Sequence, residues 1–203
     1  MTMLRERSTT TDAGAMPREF HWTAKAFYQA AGLGVFKEPN QLELIYGRII
    51  RKMPQSPVHT AVRRRVARRL REMVSPSLCV CEENPIHIAF DGEPVPDVVM
   101  LRGPESDYDE RHPMPEDVRL IVEVAVSSVA SDTGDKAMLY AQAGIADYWV
   151  VLPAARQIVV HRDPTPQGYA SVTTLGARET VSPLAASDVT LAVADLLGQA
   201  PTP

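Results

Sequence analysis

The apolar residues of this chain follow two patterns. Continuous runs rich in β-branched residues occupy positions 97–101, 120–126 and 145–152, which is typical of strands buried on both faces of a sheet. Apolar residues at helical spacing occupy positions 59–73 and 137–143, which is typical of helices that pack one face on a core. The alternation of the two patterns predicts an α/β or α+β fold in one domain.

Weaker signals complete the predicted order of elements. Thr23 is placed to cap a short helix, and Gly47 divides a neighbouring apolar stretch into two short strands. The remaining signals predict a helix at 24–31, the two strands within 42–50, one or two strands within 78–90, an edge strand at 157–161, a turn at 164–168, a strand at 169–175 and a short helix within 190–197.

The two ends of the chain differ from its middle. Residues 1–19 are polar and lack periodicity, which predicts a flexible tail, and residues 198–203 are expected to fray. Residues 20–197 are therefore predicted to form the folded domain. Hydrophobic residues make up 45% of the 203 residues, which is enough for a substantial core.

A single carboxylate interrupts the most apolar of the predicted strands. Glu123 is the only charged residue in the run 120–126, and strand alternation places it on one face with Ile121 and Ala125. A buried carboxylate costs several kcal/mol unless it is paired or binds a metal. Considered alone, Glu123 fits a structural ion pair with an arginine or lysine.

A second carboxylate opens another strand. Asp97 follows Pro94 and Pro96 and begins the run 97–101; proline is tolerated at the start of a strand. Considered alone, Asp97 fits a turn or the cap of a strand. If the Asp97 and Glu123 strands are neighbours about 4.8 Å apart, however, the two carboxylates can share a hard cation such as Mg²⁺, which takes oxygen ligands at about 2.0–2.1 Å.

A lysine follows on the next helix. Ser131, Asp132 and Thr133 are candidate N-caps for this helix, and Lys136 and Tyr140 are four residues apart and share a helix face. Since the helix follows the Glu123 strand directly, its first turn lies near the end of that strand. Lys136 is thus a solvated lysine or a group that holds a water or a phosphate.

Several segments carry a resemblance to a known family. The stretch EVAVSSVASDTGDKAMLYAQAGIADYWVV, with LELIYGRII, SPVH and PVPDVVML before it, resembles the Uma-two family of restriction-endonuclease-like proteins, in the PD-(D/E)XK nuclease superfamily. The matching segments run from about Trp22 to His161. The resemblance implies a restriction-endonuclease-like domain in which helices flank a mixed β-sheet with an αβββαβ core.

The resemblance also implies a function and its residues. It implies an endonuclease that hydrolyses phosphodiester bonds of DNA with one or two Mg²⁺ or Mn²⁺ ions, held by Asp97, Glu123 and the Val124 carbonyl. Lys136 would orient the attacking water or stabilise the developing charge. Glu43 resembles an upstream acid that supports the metal site in many such nucleases, although a surface or hairpin glutamate is an equal alternative. A homodimer is implied by the superfamily's habit of cutting two strands.

One departure from the superfamily leaves other functions open. The usual lysine stands two residues after the glutamate, where this chain has Ala125, so Lys136 has to replace it from the next helix. Val126 and Leu152 also replace polar residues expected in the family. A nuclease-like fold kept as a non-catalytic nucleic-acid-binding or assembly module is therefore an alternative, and a sugar hydrolase using two carboxylates is a third.

Charge restricts where a nucleic acid could bind. The formal net charge is −4, so there is no global basic field to attract DNA. The helix predicted at 59–73 carries a local arginine cluster that fits phosphate contacts or ion pairs with acidic neighbours. The candidate nucleic-acid-binding residues are His59, Arg63, Arg64, Arg68 and Tyr140.

The remaining sequence features exclude several classes. No apolar run approaches the roughly 20 residues that span a bilayer, and the N-terminus lacks the apolar region of a signal peptide, so we expect a cytoplasmic protein that does not enter the membrane. Cys79 and Cys81 are two residues apart, which disfavours a disulfide between them and leaves too few thiols for a cysteine-based zinc site.

Overall fold

The computed structural model describes residues 19–89 and 91–198. The predicted tail, apart from Glu19, and the predicted frayed end, apart from Gly198, lie outside this part of the chain. The helices and strands are, in chain order, α1 Ala24–Gly32, β1 Leu42–Ile45, β2 Arg48–Arg51, α2 Pro57–Arg71, β3 Leu78–Glu82, β4 Val98–Arg102, β5 Val118–Val124, α3 Val129–Thr133, α4 Asp135–Gln142, β6 Asp147–Leu152, β7 Gln157–Thr165, β8 Gly168–Gly176, β9 Thr180–Val181, β10 Leu191–Ala192 and α5 Val193–Leu197.

A mixed sheet of six strands organises these elements. Its order is β3-β4-β5-β6-β7-β8, and each neighbouring pair is antiparallel except β5 and β6, which are parallel. The parallel pair follows from the helical connection α3–α4, because parallel neighbours need a crossover between them. The order α2-β3-β4-β5-α4-β6, with α3 preceding α4, confirms the expected αβββαβ core within a mixed α/β fold.

Both faces of the central strands are covered. On one face, Val122 and Trp149 belong to a buried cluster with α2 and α5. On the other, Ile121 and Tyr148 belong to a buried cluster with α4. This two-sided burial explains why the central strands have continuous apolar runs instead of alternating ones.

The glycine between α3 and α4 divides the predicted helix. We expected one helix with caps at 131–133, but α3 already begins at Val129 and α4 starts anew at Asp135. Gly134 has φ −110° and ψ −101°, which is not helical. A Cβ at Gly134 would lie 2.6 Å from the Ala130 carbonyl oxygen, so the close approach of the two short helices requires glycine here.

Two other predicted elements differ from the structure. Residues 157–161 belong to β7, which extends to Thr165 and pairs with β6 and β8, so it is not an edge strand; the apolar pattern is the same whether or not a further strand pairs outside it. Within 78–90, β3 ends at Glu82, and the described residues after it contribute only a single bridge between Ile88 and Gly92.

Among the described residues, the helices are all too short or too polar to cross a membrane.

Candidate active site

The register of β4 and β5 brings two carboxylates together. Val98 pairs with Val122 in these antiparallel strands, so Asp97, immediately before β4, lies opposite Glu123. The Asp97 N–H donates to Glu123 Oε2 at 3.4 Å. Both side chains are buried and line one cavity of about 400 Å³. The condition for a shared cation, that the strand after Asp97 and the Glu123 strand are neighbours, is met.

Hydrogen bonds hold one oxygen of Asp97. Its Oδ2 accepts from the Val124 N–H at 2.7 Å and lies 3.0 Å from His59 Nε2, at the start of α2. Burial alone would raise the pKa of Asp97, but the hydrogen bond and charge of His59 and the Val124 N–H outweigh it and lower that pKa. Asp97 therefore keeps its negative charge in the cavity.

The Val124 N–H and carbonyl lie on the same side of β5 as Asp97. Its N–H donates to Asp97 on the β4 side, whereas the next N–H, of Ala125, donates to the Val151 carbonyl on β6 at 2.9 Å. Because the N–H and C=O of one strand residue point towards the same neighbour, the Val124 carbonyl also lies on the β4 side. The carbonyl and the Asp97 carboxylate are thus on one side of β5.

Lys136 enters the cavity from α4. Its Nζ lies 3.1 Å from Glu123 Oε1, 3.1 Å from Glu43 Oε2 on β1 and 3.9 Å from Asp132 Oδ1 on α3. Only 6% of Lys136 is exposed. Burial would lower its pKa, but the charges of Glu123, Glu43 and Asp132 outweigh burial and raise it. Lys136 is therefore a permanent cation enclosed by carboxylates.

Glu123 lies at the centre of this group. Its Oε1 also accepts from the Tyr140 hydroxyl at 3.1 Å, and 3% of the residue is exposed. Burial raises the pKa of Glu123 to about 8, against the opposing attraction of Lys136 and with repulsion from Asp132 and Asp97. The surroundings of Glu123 thus disfavour its ionised form unless another cation is present.

The cavity holds more negative than positive charge. Four buried carboxylates, from Glu43, Asp97, Glu123 and Asp132, face the ammonium of Lys136. We name these five residues the acidic cluster. Excess charge of this kind is relieved by protons or by a bound cation.

The donor set of the acidic cluster fits a hard divalent cation. Mg²⁺ is held in proteins by one or two carboxylates and keeps several waters, and Asp97, Glu123 and the Val124 carbonyl supply oxygens of the right kind. Within residues 19–89 and 91–198, no three His, Cys, Asp or Glu side chains already converge as a complete metal-ligand set. Three protein oxygens would leave the remaining positions of an octahedral ion to water.

Two residues of the cavity have no site role in the predictions from sequence. Asp132 was considered only as a helix cap, but it is buried against Lys136 and accepts a hydrogen bond from the Ser128 hydroxyl; its i, i+4 spacing from Lys136 was the available signal. Lys52, at the end of β2, lines the same cavity and donates to the Val95 carbonyl at 3.2 Å. No local pattern marks Lys52.

The candidate nucleic-acid-binding residues separate into buried and exposed ones. Arg63 is buried and forms ion pairs with Glu82 and Glu83. Tyr140 is fully buried against Glu123, so it has no surface with which to contact DNA. His59 lies in the cavity beside Asp97. The exposed members of the set are Arg64 and Arg68, of which Arg68 lies 3.9 Å from Glu72.

Comparisons with known proteins agree with this architecture. A family model described as "Uma2: Putative restriction endonuclease" matches residues 24–194. A crystal structure described as a putative nuclease belonging to DUF820, from Anabaena variabilis, has a TM-score of 0.61 and 18% sequence identity, and the match covers 77% of this chain and 89% of that one. At that identity the likeness concerns the fold. No curated protein matches the chain significantly.

Proposed function

The chain belongs to the Uma2 family of restriction-endonuclease-like proteins, and from that premise and the acidic cluster we propose that it hydrolyses phosphodiester bonds of DNA with a divalent metal ion. The observation that carries the proposal is the convergence of three groups in one cavity: the carboxylates of Asp97 and Glu123 and the ammonium of Lys136. They come from the residue that precedes β4, from β5 and from α4, so three separate parts of the fold bring them together.

The metal would lie at the end of β5. Asp97, Glu123 and the Val124 carbonyl would hold one or two Mg²⁺ or Mn²⁺ ions. Such an ion, when bound, lowers the pKa of a water and neutralises charge on the scissile phosphate. His59 and the Val124 N–H restrain Asp97 Oδ2, so the Asp97 carboxylate has a set orientation before any ligand arrives.

Lys136 supplies the positive charge that the chemistry needs. An ammonium beside the reacting phosphate can orient the attacking water or stabilise charge that develops in the transition state. Glu43 and Glu123 hold Nζ between them at 3.1 Å each, so the lysine is preorganised. In this arrangement Glu43 is buried and holds Lys136 beside Glu123, which favours the role of an upstream supporting acid over that of a surface glutamate.

The position of the lysine differs from the usual superfamily pattern without removing its role. Ala125, at the expected lysine position, is buried in the apolar cluster under α4. A lysine there would have to bury its side chain within that apolar cluster. Lys136 brings an ammonium to the Glu123 carboxylate from α4. The positive charge is thus present beside the glutamate, although a different position of the chain supplies it.

DNA is the proposed substrate and the cytoplasm the proposed place of action. Cutting both strands of a duplex calls for two such sites, which a homodimer would supply. A non-catalytic DNA-binding or assembly module remains the second candidate function, because in it the acidic cluster could persist without turnover.

Metal-dependent nicking of supercoiled plasmid tests the proposal. Wild-type protein should nick the plasmid with Mg²⁺ or Mn²⁺ and not with a chelator. Lys136→Met should lower the rate about 100- to 1,000-fold, as for other groups that stabilise developing charge. Lys37→Met is the matched control, since Lys37 is exposed and outside the cavity, and it should nick at the wild-type rate.

Two results would contradict the proposal. If Lys136→Met nicked as fast as wild type, the nuclease activity would not reside in this cavity. If folded wild-type protein bound DNA but nicked none under any metal condition, the binding module would be favoured. Calorimetry separates the metal from the chemistry: Mn²⁺ should release heat on binding wild type and little on binding Glu123→Gln.

A further inference from the structure

The cations around the cavity are not equally available to a ligand. Lys136 is enclosed by carboxylates at the floor. Arg51, on the rim, points to an ion pair with Glu38 and is exposed on the outside. Lys52 follows Arg51 on the segment after β2, which also lines the cavity.

Lys52 is only partly satisfied by its neighbours. An ammonium has three donors, and among the described residues Nζ donates to the Val95 carbonyl at 3.2 Å. The nearest carboxylate oxygen, of Glu83, is 3.8 Å away, and Glu83 is already engaged by Arg63 and Gln55. The Lys52 side chain is 19% exposed, so its charge reaches solvent at the mouth of the cavity.

The first turn of α2 adds positive potential on the same side. Ser56 caps this helix of 15 residues by accepting from the His59 N–H at 3.2 Å, and both residues line the cavity. The N-terminus of a helix carries a partial positive charge. The cavity thus has an acidic floor and, around Lys52 and Ser56, a positive rim.

This arrangement suits an extended polyanion better than a single phosphate group. The phosphate being cut would enter with a divalent cation, whose charge complements the carboxylates at the floor of the cavity. The next phosphate of the same strand would lie at the rim, where it needs a cation of its own. Building on the function proposed above, we propose that Lys52 contacts the DNA backbone phosphate adjacent to the one being cut. This contact would set the register of the strand on the site without reading bases.

The salt dependence of DNA binding tests the contact. Labelled duplex DNA is titrated with protein by fluorescence anisotropy at several salt concentrations, with Ca²⁺ in place of Mg²⁺ to keep the strand uncut. Each phosphate neutralised contributes about 0.9 to the slope of log affinity against log salt. Lys52→Met should lower that slope by about 0.9 and weaken binding about 5- to 10-fold at low salt, whereas Lys52→Arg and Lys37→Met should keep the wild-type slope.

The alternative role of Lys52 is to brace the Val95 carbonyl. In that case Lys52→Met would lower the melting temperature and the nicking rate while leaving the salt slope unchanged, and this result would overturn the proposal. If wild type binds DNA but never nicks it, and Lys52→Met lowers the salt slope, the Lys52 contact is supported and the nuclease is rejected. If wild type nicks DNA and Lys52→Met keeps the wild-type slope, the nuclease is supported and the Lys52 contact is rejected. If wild type binds no DNA, both are rejected.

Discussion

Asp147 and Glu123 lie on neighbouring parallel strands, and both are buried, but their surroundings are opposite. Asp147 is 0% exposed, and it accepts from Arg162 Nε at 2.9 Å, Trp149 Nε1 at 2.8 Å and the Leu184 N–H at 2.9 Å. Glu123 shares one ammonium with Glu43 and Asp132. Each carboxylate accepts hydrogen bonds from three residues, but no other carboxylate shares the Arg162 of Asp147 among the described residues, whereas Glu43 and Asp132 compete with Glu123 for Lys136.

Asp117 repeats the pattern of Asp147. It is buried and receives hydrogen bonds from Arg102, Arg111 and the Met114 N–H. Burial alone would raise its pKa, but these partners outweigh burial and lower it. Burial of a carboxylate is therefore no guide to function in this protein. The number of carboxylates that compete for each donor separates the structural acids from the acidic cluster.

The largest expected effect is on the free energy of unfolding, when a structural carboxylate and a carboxylate of the acidic cluster are each replaced by the amide. Asp147→Asn should destabilise the fold by about 3 kcal/mol, because it leaves the Arg162 charge without its buried partner. Glu123→Gln should change stability by less than about 1 kcal/mol near pH 7, because a carboxyl group with a pKa of about 8 is mostly protonated there and glutamine is neutral as well. Urea unfolding followed by circular dichroism measures both. Equal losses in the two variants would remove the distinction between the two regions.

The pH dependence of stability should have opposite signs in the two regions. The folded-state pKa of Glu123 is raised from 4.5 to about 8, so between these pH values the folded protein binds a proton that the unfolded chain does not, and stability falls as pH rises. The folded-state pKa of Asp117 is lowered below 3.8. Its contribution is therefore present above pH 3.8 and is lost as pH falls further.

Variants at the two positions isolate these effects. Urea unfolding from pH 3 to 9 in a chelator should give a flatter curve between pH 4.5 and 8 for Glu123→Gln. For Asp117→Asn, the curve should be flatter in the acid range only. A Glu123→Gln curve parallel to wild type above pH 4.5 would contradict the excess charge that we infer for the acidic cluster.

The smallest effect is expected at the hydroxyl that holds Glu123. Tyr140→Phe removes one hydrogen bond to a charged acceptor, which should lower the nicking rate by about tenfold while the melting temperature changes little. Tyr169→Phe is the matched control: its hydroxyl donates to the Ile145 carbonyl at 2.9 Å, away from the acidic cluster. Equal loss of activity in both variants would indicate a general packing effect.

Local patterns were enough to find the central strands, and together with the family resemblance they indicated Glu43, Asp97, Glu123 and Lys136 as candidate site residues. The apolar runs predicted β4, β5 and β6, because a strand that is buried on both faces has few positions that face solvent and can be polar. For the same reason a lone charge in such a run, Glu123, stood out. Lys136 was expected near Glu123 because its helix follows that strand directly. Asp97 was expected there only if the strand that it opens is a neighbour of the Glu123 strand.

Other features were decided only by tertiary structure. Residues far apart in sequence meet there: Lys52 reaches the Val95 carbonyl without any local signal, and His59, from the SPVH segment of the family resemblance, reaches Asp97. Arg63 looked like its exposed neighbours on α2 until folding placed Glu82 and Glu83 against it. The sequence determines which residues carry a charge. Whether that charge is paired depends on the other charges that the fold brings within a few ångströms of it.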